Sequence, residues 1–342
     1  MRIAVDAMGG DLAPREIVRG AVDAVKGLDG IDEITLVGDE TAIRAELAAY
    51  GAPDLPKLRV LHASQVIGMD ESPAQAVRTK KDSSINRGVD LVKQGQADAF
   101  VSAGSTGAVV AASIFGLRRL AGVKRPAIGT VFPTMGRPVL LLDAGANTDC
   151  EETELEQFAV MGSLYSHAIL HQEKPVVGLL SIGGADLKGN DVTKRTLDRL
   201  RQNKTLNFRG NVEGHDLFEG HTDVVVCDGF VGNVVLKTTE SVSRTIGQWM
   251  KQEFKRNPLR IFGALCLSGA LKLMKQRMDP ELYGGAPLLG VNGTVIITHG
   301  ASTRKAIFHA IRVGSESVAS HVNEKISDQL RRAHEDTQTK AN

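Results

Sequence analysis

A short apolar run, a turn of small residues and a helical pattern follow one another at least six times along this chain. Residues 97–107 show the unit most clearly, since 97–102 read as a buried strand and 103–107 as a turn without bulky side chains. An apolar helical pattern begins at Ala108. Such units predict a wound α/β fold, and continuous apolar strands such as 139–142 indicate a mostly parallel sheet that helices cover on both faces. We therefore expect a three-layer α/β/α sandwich.

Small-residue turns follow the predicted strands throughout the chain. A helix that starts at such a turn directs free backbone N–H groups and the positive end of its dipole toward the turn, which favours an anion such as phosphate. Because ligands of wound sheets bind at the carboxyl ends of the strands, we expect the turns to converge on one anion site there. Any single turn has an alternative role in close packing of strand against helix. The turns are residues 7–11, 103–107, 144–147, 183–190, 228–233 and 299–303.

Composition and charge narrow the functional classes. Of the 342 residues, 42% are hydrophobic and 24% charged, as in ordinary soluble globular proteins. The net charge of +1 gives no overall attraction to nucleic acid, so no nucleic-acid partner is expected. The three cysteines form no Cys-x-x-Cys pair, which argues against disulfides and a zinc site. With neither a signal-peptide pattern nor an apolar run of about 18 residues, a cytoplasmic location is expected.

One hydrophobic segment does not fit the wound pattern. We expect a single domain over residues 1–330 with a protruding helical hairpin at about 255–278, and a polar tail, 331–342, that frays. The hairpin is either a core or subunit-interface element, or an interfacial element that contacts anionic headgroups or an acidic partner through its basic rim. The residues proposed for membrane or carrier contact are Arg256, Arg260, Ile261, Phe262, Leu265, Lys272 and Lys275.

Familiar nucleotide-binding and hydrolase motifs do not occur in the turns. None is a Walker A sequence, and there is no convincing Gly-x-Gly-x-x-Gly followed by a ribose-binding acid. A Gly-x-Ser-x-Gly nucleophile elbow is missing as well. A nucleoside triphosphatase and an ordinary Rossmann dehydrogenase are therefore disfavoured.

Five stretches resemble the bacterial phosphate acyltransferases of the PlsX family. Residues 5–11 read Val-Asp-Ala-Met-Gly-Gly-Asp, 102–108 read Ser-Ala-Gly-Ser-Thr-Gly-Ala and 145–147 read Gly-Ala-Asn. The two most specific are 227–233, Cys-Asp-Gly-Phe-Val-Gly-Asn, and 283–290, Tyr-Gly-Gly-Ala-Pro-Leu-Leu-Gly. The resemblance extends over nearly the whole chain.

The resemblance implies transfer of a fatty acyl group from acyl–acyl carrier protein to inorganic phosphate, giving acyl phosphate for phospholipid synthesis. It also implies a fold like that of isocitrate dehydrogenase and phosphotransacetylase, a homodimer, and peripheral attachment to the inner face of the cell membrane. There the acyl phosphate would pass to a membrane glycerol-3-phosphate acyltransferase. Ser181, 184–185 and 303–304 depart from the family pattern, so no family role is carried over to them.

This chemistry needs an anion held beside a thioester carbonyl and donors for the developing oxyanion, and it calls for no metal or cofactor. We interpret Lys188 as the phosphate-binding cation, because a lysine amid glycines has little packing rationale. The predicted oxyanion donor is Asn233, Asn147 or Ser105. Asp228 either orients a lysine or caps a helix. His299 either assists proton transfer or is an ordinary histidine at a strand end. Further candidates for substrate or phosphate binding are Gly104, Ser105, Thr106, Gly107, Asn147, Gly189, Asn190, Gly232 and Asn292.

Two other functions stay open on the sequence. One is a different enzyme on the same fold, either an acetyl-coenzyme A phosphotransacetylase or a metal- and NAD-dependent decarboxylating dehydrogenase. The dehydrogenase would need clustered aspartates for a divalent cation, whereas Asp191 and Asp228 are isolated. The other is a non-catalytic adaptor docked to the membrane through the 255–278 hairpin.

Overall fold

The computed structural model describes residues 1–341, with side chains for all of these except 280 and 333–341. Eleven strands of the described chain form one sheet. They are β1 (Arg2–Asp6), β2 (Glu33–Gly38), β3 (Leu58–His62), β4 (Ala99–Ser102), β5 (Ala127–Phe132), β6 (Val139–Leu142), β7 (Val176–Leu180), β8 (Asn207–Val212), β9 (Val224–Val226), β10 (Ala286–Leu289) and β11 (Thr294–Ile297).

Helices connect most of these strands, and a 3₁₀ turn spans Pro280–Tyr283. The helices of the described chain are α1 (Arg15–Gly27), α2 (Glu40–Ala49), α3 (Pro73–Thr79), α4 (Ser84–Lys93), α5 (Thr106–Gly116), α6 (Glu152–Ile169), α7 (Asp191–Gln202), α8 (Asp216–Glu219), α9 (Gly229–Phe254), α10 (Pro258–Cys266), α11 (Ser268–Arg277), α12 (Arg304–Ala319) and α13 (Val322–Ala341).

Two helical layers cover the sheet, as the alternation of side chains along β1 shows. Ile3 and Val5 point into a core with helices α1, α2, α6, α12 and α13, whereas Ala4 points into a second core with α3, α4 and α5. Both cores consist of buried aliphatic and aromatic side chains. The predicted three-layer α/β/α sandwich is confirmed.

The strand order is β3-β2-β1-β4-β11-β10-β5-β6-β9-β7-β8, and most neighbours are parallel. The exceptions lie in the middle, where β10 is antiparallel to both β11 and β5, and β5 is antiparallel to β6. These three reversals leave β6, β9, β7 and β8 running opposite to β1, β2, β3, β4 and β11. The carboxyl ends of the two groups therefore lie at opposite edges of the sheet.

The predicted convergence of all small-residue turns at one edge is consequently wrong. Residues 7–11, 103–107 and 299–303 lie at one edge, and we call them the first loop set. The second loop set comprises 144–147, 181–190 and 228–233 at the other edge. Two of the reversals are hairpins, β5–β6 and β10–β11. The third is the long-range pairing of β10 with β5, which local periodicity does not encode.

Side chains fix the start of several helices. An N-cap side chain accepts a first-turn N–H in α2, α4, α7, α9 and α10, which stabilises each helix start by about 1 kcal/mol. The residues are Asp39, Ser83, Asn190, Asp228 and Asn257. Two of these caps, at α7 and α9, set the conformation of the loops that carry site candidates.

The segment from α9 to α11 buries little of itself in this chain. Gly229 and Gly232 are the only buried residues of α9, and neither α10 nor α11 has a buried residue. Helices α10 and α11 occupy the segment where the hairpin is expected, and α10 packs against both α9 and α11. Among the described residues, no helix is both long enough and apolar enough to cross a membrane. The tail predicted to fray continues α13 as far as Ala341, and residue 342 lies outside the described residues.

Candidate active site

A buried aspartate organises the first loop set. Asp6, the last residue of β1, accepts hydrogen bonds from the Ser102 hydroxyl at 2.7 Å and from the Met8 N–H at 3.1 Å. A Cβ atom at Gly9 would collide with the Asp6 carboxylate and lie 2.5 Å from the Gly104 nitrogen, so only glycine fits there. Burial raises the pKa of Asp6. The carboxylate therefore ties the turn after β1 to the turn after β4.

The amino end of α5 belongs to the same loop set. Ser105 is its N-cap, and the Ser105 side chain makes no capping hydrogen bond in the described structure. The first-turn N–H groups of Thr106 and Gly107 therefore lack a side-chain acceptor, which is the condition for an anion-binding helix end. His299 follows β11 at this edge, and its Nδ1 accepts the Ala301 N–H at 3.1 Å. The structure thus brings His299 to the edge that holds the amino end of α5.

The second loop set is organised by Asp143, which directly follows β6. Its carboxylate is fully buried and accepts five N–H groups at 2.7–3.2 Å. Burial nevertheless raises the pKa of Asp143, against the opposing effect of these donors. The donors are the backbone N–H groups of Ile128, Gly145, Ala146 and Asn147 and the side-chain amide of Asn147.

Asn147 is a structural residue of this loop. Its amide donates to the Pro126 carbonyl at 2.7 Å and to the Asp143 carboxylate at 2.9 Å. Both amide hydrogens are therefore used, and none is free for the oxyanion donation predicted for this side chain.

Two glycines let α9 begin directly on the Asp143 loop. A Cβ atom at Gly229 would lie 2.7 Å from the Asp143 carboxylate, and one at Gly232 would collide with the Asp143 carbonyl oxygen. The role of Gly232 is thus to allow the close approach of α9 to the loop after β6.

The first turn of α9 carries two of the predicted catalytic residues. Asp228 accepts the Val231 N–H at 2.8 Å, which is the helix-capping role considered for this residue. Asn233 is exposed, and a Cβ atom at Gly145 would lie 3.5 Å from the Asn233 Cβ. The Asn233 amide has no hydrogen-bond partner among the residues that the structure describes, so it is available to a ligand.

The loop after β7 carries Lys188. Its aliphatic stem packs over Gly183, since a Cβ atom there would lie 2.9 Å from the Lys188 Cγ. Lys188 is exposed and forms no ion pair within the described residues. Gly189 has φ +104°, a conformation that favours glycine, and the Asn190 side chain caps α7 by accepting the Thr193 N–H at 2.8 Å. The loop therefore presents an unpaired cation beside the amino end of α7.

Asn292 precedes β11 and lies outside both loop sets. It borders a cavity of about 400 Å³ that Asp98, Thr294, Ser317 and Asn323 also line. No other candidate residue lines this cavity, so the structure does not bring Asn292 together with the predicted phosphate-binding residues.

Two cysteines flank the second loop set without being activated. Burial raises the pKa of Cys150 to about 12 and that of Cys227 well above the ordinary thiol value. The Cys227 thiol donates to the Asp143 carbonyl oxygen at 3.6 Å. Since both thiols are protonated at neutral pH, neither supplies a thiolate nucleophile.

One group of three potential metal ligands occurs in the part of the chain that the structure describes. His215, Asp216 and Glu219 place ligand atoms within 4.8 Å of one another around the short helix α8. None of them belongs to either loop set, so the group gives the dehydrogenase alternative no support at the candidate site.

Sequence reasoning missed Asp6 and Asp143 as organisers of the two loop sets. Their signal is present in the sequence, because each is a carboxylate that directly follows an apolar run, residues 3–5 and 139–142. A carboxylate buried in such a place requires several hydrogen-bond donors, which small-residue turns supply through their backbone.

The fold belongs to a class with known members. A phosphotransacetylase from Streptococcus pyogenes matches with a TM-score of 0.61 over 93% of this chain and 94% of that chain, at 18% sequence identity. The EutD phosphotransacetylase from Staphylococcus aureus matches with a TM-score of 0.57 at the same coverage and identity. At this identity the likeness shows the fold alone, an α/β/α sandwich of the phosphotransacetylase type.

Sequence comparison shows the family. Residues 1–325 match the family model described as fatty acid synthesis protein. A phosphate acyltransferase from Desulfitobacterium hafniense is 52% identical over 333 residues, which is 97% of this chain and 98% of the relative. One from Nostoc punctiforme is 50% identical over 331 residues, 96% of either chain. The chain belongs to this phosphate acyltransferase family and is an acyltransferase. This confirms the resemblance and rules out the hypothesis of a non-catalytic adaptor.

Proposed function

We propose that the protein transfers a fatty acyl group from acyl–acyl carrier protein to inorganic phosphate and releases acyl phosphate. The observation that carries the proposal is Lys188, an exposed cation without an ion-pair partner among the described residues, in a glycine loop of a chain from the phosphate acyltransferase family. Strand β9 is adjacent to β7 in the sheet, and the loop after β9 adds the free amide of Asn233.

In the proposed reaction, Lys188 holds phosphate so that one phosphate oxygen attacks the thioester carbonyl. A C–O bond forms, the carbonyl electrons move onto oxygen, and the Asn233 amide donates to that oxyanion. Collapse of the intermediate breaks the C–S bond. The carrier thiol, with a pKa of about 8.5 like that of free cysteine, leaves as thiolate without a strong acid. The inert thiols of Cys150 and Cys227 fit direct attack by phosphate rather than a thioester relay.

One assay tests this function against the remaining alternative. The purified protein is incubated with phosphate and, in separate reactions, palmitoyl–acyl carrier protein, palmitoyl–coenzyme A or acetyl–coenzyme A. Phosphate-dependent release of carrier thiol and formation of palmitoyl phosphate are expected. Turnover of acetyl–coenzyme A alone would assign the protein as a phosphotransacetylase instead.

The first loop set is proposed as a second anion site. The uncapped amino end of α5 and the exposed His299 support it, and a phosphate group of the donor's pantetheine arm has suitable chemistry. Titration of phosphate into Gly104→Ala, which crowds the loop against Asp6, tests whether this edge contributes to anion binding.

We also propose that the protein is a cytoplasmic homodimer that binds peripherally to the inner face of the cell membrane. Along α9, Val242, Ile246 and Trp249 are exposed at a spacing that places them on one face, which supports contact with a second copy. The exposed apolar residues of α10, among them Phe262, support insertion into the membrane surface. Attachment there would let a membrane glycerol-3-phosphate acyltransferase receive the acyl phosphate.

A further inference from the structure

Two aliphatic side chains are held in solvent next to Lys188. Ile182 is 82% exposed and Leu187 is 86% exposed, although both lie in the short loop between β7 and α7. Burial of an aliphatic side chain of this size is favourable by about 1.5–3 kcal/mol, so an exposed pair beside a ligand-binding lysine requires an explanation.

The loop that carries them is anchored to the rest of the domain. The Gly184 N–H donates to the Glu213 carboxylate at 3.1 Å, and the Asn211 amide donates to the Ala185 carbonyl at 3.2 Å. Asp186 forms an ion pair with Arg201 of α7. These bonds hold the backbone between Ile182 and Leu187, so both side chains project from an anchored loop.

The neighbouring loop repeats this arrangement. Strands β7 and β9 are adjacent and parallel, so the loops that follow them lie side by side at one edge. Around Asn233, the first turns of α9 expose Phe230, Val231 and Val234, just as the loop of Lys188 exposes Ile182 and Leu187. Polar groups suited to the reacting phosphate and carbonyl therefore occur among exposed apolar side chains.

We propose that Ile182 and Leu187 bind the acyl chain of the donor substrate, an assignment that rests on the proposed function. The thioester carbonyl must lie beside the phosphate held by Lys188, so the methylene groups that follow it leave the reaction centre across this loop. Each methylene that an aliphatic side chain removes from water adds favourable free energy. Ile182 and Leu187 thus make the enzyme prefer long acyl chains over short ones.

The test compares donors of two chain lengths with one double variant. In Ile182→Ser/Leu187→Ser, kcat/KM for hexadecanoyl–acyl carrier protein is expected to fall about tenfold or more, and that for butanoyl–acyl carrier protein by less than about twofold. Met135→Ser is the matched control, since Met135 is 91% exposed in the turn between β5 and β6, at the opposite edge of the sheet. It should leave both values unchanged.

The outcomes separate this inference from the function on which it rests. An equal loss for both donors, or no loss for either, overturns the acyl-chain contact while leaving the acyl transfer intact. A fall in the molecular mass of the double variant, measured by light scattering, would place the two residues in a subunit contact and also overturn it. If the wild-type protein forms no acyl phosphate from either donor, the proposed function itself fails.

Discussion

The Asp143 carboxylate is the common acceptor for the loop that leads from β6 toward α9. In Asp143→Asn, an amide replaces one carboxylate oxygen and points N–H groups at the backbone N–H groups that this oxygen accepts. At least one buried donor then loses its acceptor, and we expect a decrease of about 3 kcal/mol in the free energy of unfolding. Urea denaturation followed by circular dichroism measures the change.

Asp186→Asn is the matched control for this substitution. Asp186 pairs with Arg201 at 2.6 Å, but both side chains are about half exposed, so the loss should stay below about 1 kcal/mol. Equal stability of the Asp143 and Asp186 variants would show that the second loop set does not depend on the buried carboxylate.

Lys188 is the residue on which the proposed phosphate site depends most. Removing its ammonium in Lys188→Ala should raise the KM for phosphate about tenfold to a hundredfold, because a charge-assisted hydrogen bond contributes about 1.5–3 kcal/mol. Steady-state kinetics at varied phosphate and saturating acyl donor measure this. Lys237→Ala serves as the control, since Lys237 already pairs with Glu240 on α9. Wild-type phosphate dependence in the Lys188 variant would remove this lysine from the site.

The sequence predicts a role for an individual residue only where its chemistry leaves one role. Lys188 is predicted to bind phosphate because a lysine among glycines lacks a packing role. The structure leaves it exposed without an ion pair in the described chain, and its phosphate contact stays a prediction. Asp228 and Asn147 were ambiguous, because carboxylate and amide side chains serve helix caps and loops as readily as ligands. Which partner such a side chain finds depends on packing between distant segments.

Elements were predicted more reliably than their directions. The strand, turn and helix pattern correctly identified β4 with α5 and β9 with α9, since apolar periodicity is a local property. The four-residue strand β10, Ala286–Leu289, lies within a motif whose strand character was not recognised. Because β10 and β5 reverse the chain direction across the sheet, missing β10 led to the wrong conclusion that all the turns share one edge.

Substitutions on α10 test whether its exposed apolar residues contact a lipid surface. Replacing Ile261, Phe262 and Leu265 with glutamate should abolish co-sedimentation with anionic vesicles and leave acyl transfer in solution unchanged. None of the three residues is buried, so the substitutions should not destabilise the fold. A core role within this chain is excluded for the same reason.

The control for this triple variant changes charge elsewhere. Gln202→Glu with Lys204→Glu, at exposed positions at the end of α7 and in the turn before β8, alters the net charge by the same amount. This control should retain vesicle binding. Full vesicle binding by the triple variant would instead point to a subunit interface for α10.

At the scale of the whole described structure, most of one long helix stays exposed. Helix α9 extends for 26 residues, about 39 Å, and beyond its first turn none of its residues is buried. Most of the stability of a helix in a protein comes from packing of its apolar face, so the exposed apolar face of α9 favours association. Closed two-fold pairing would cover this face in both copies at once.

The single tryptophan of the chain reports on this association. Trp249 is 63% exposed on α9, so its fluorescence in an isolated chain should resemble that of tryptophan in water. We expect the mass measured by light scattering to be that of a dimer, with emission shifted to shorter wavelength because Trp249 becomes buried. Ile246→Asp, one turn away, should give a monomer with red-shifted emission, since it places a charge in the contact. Gln248→Asp adds the same charge on another side of α9 and should stay dimeric. A monomeric wild-type mass at every concentration, or a dimer in which Trp249 keeps the emission of an exposed indole, would contradict pairing through α9.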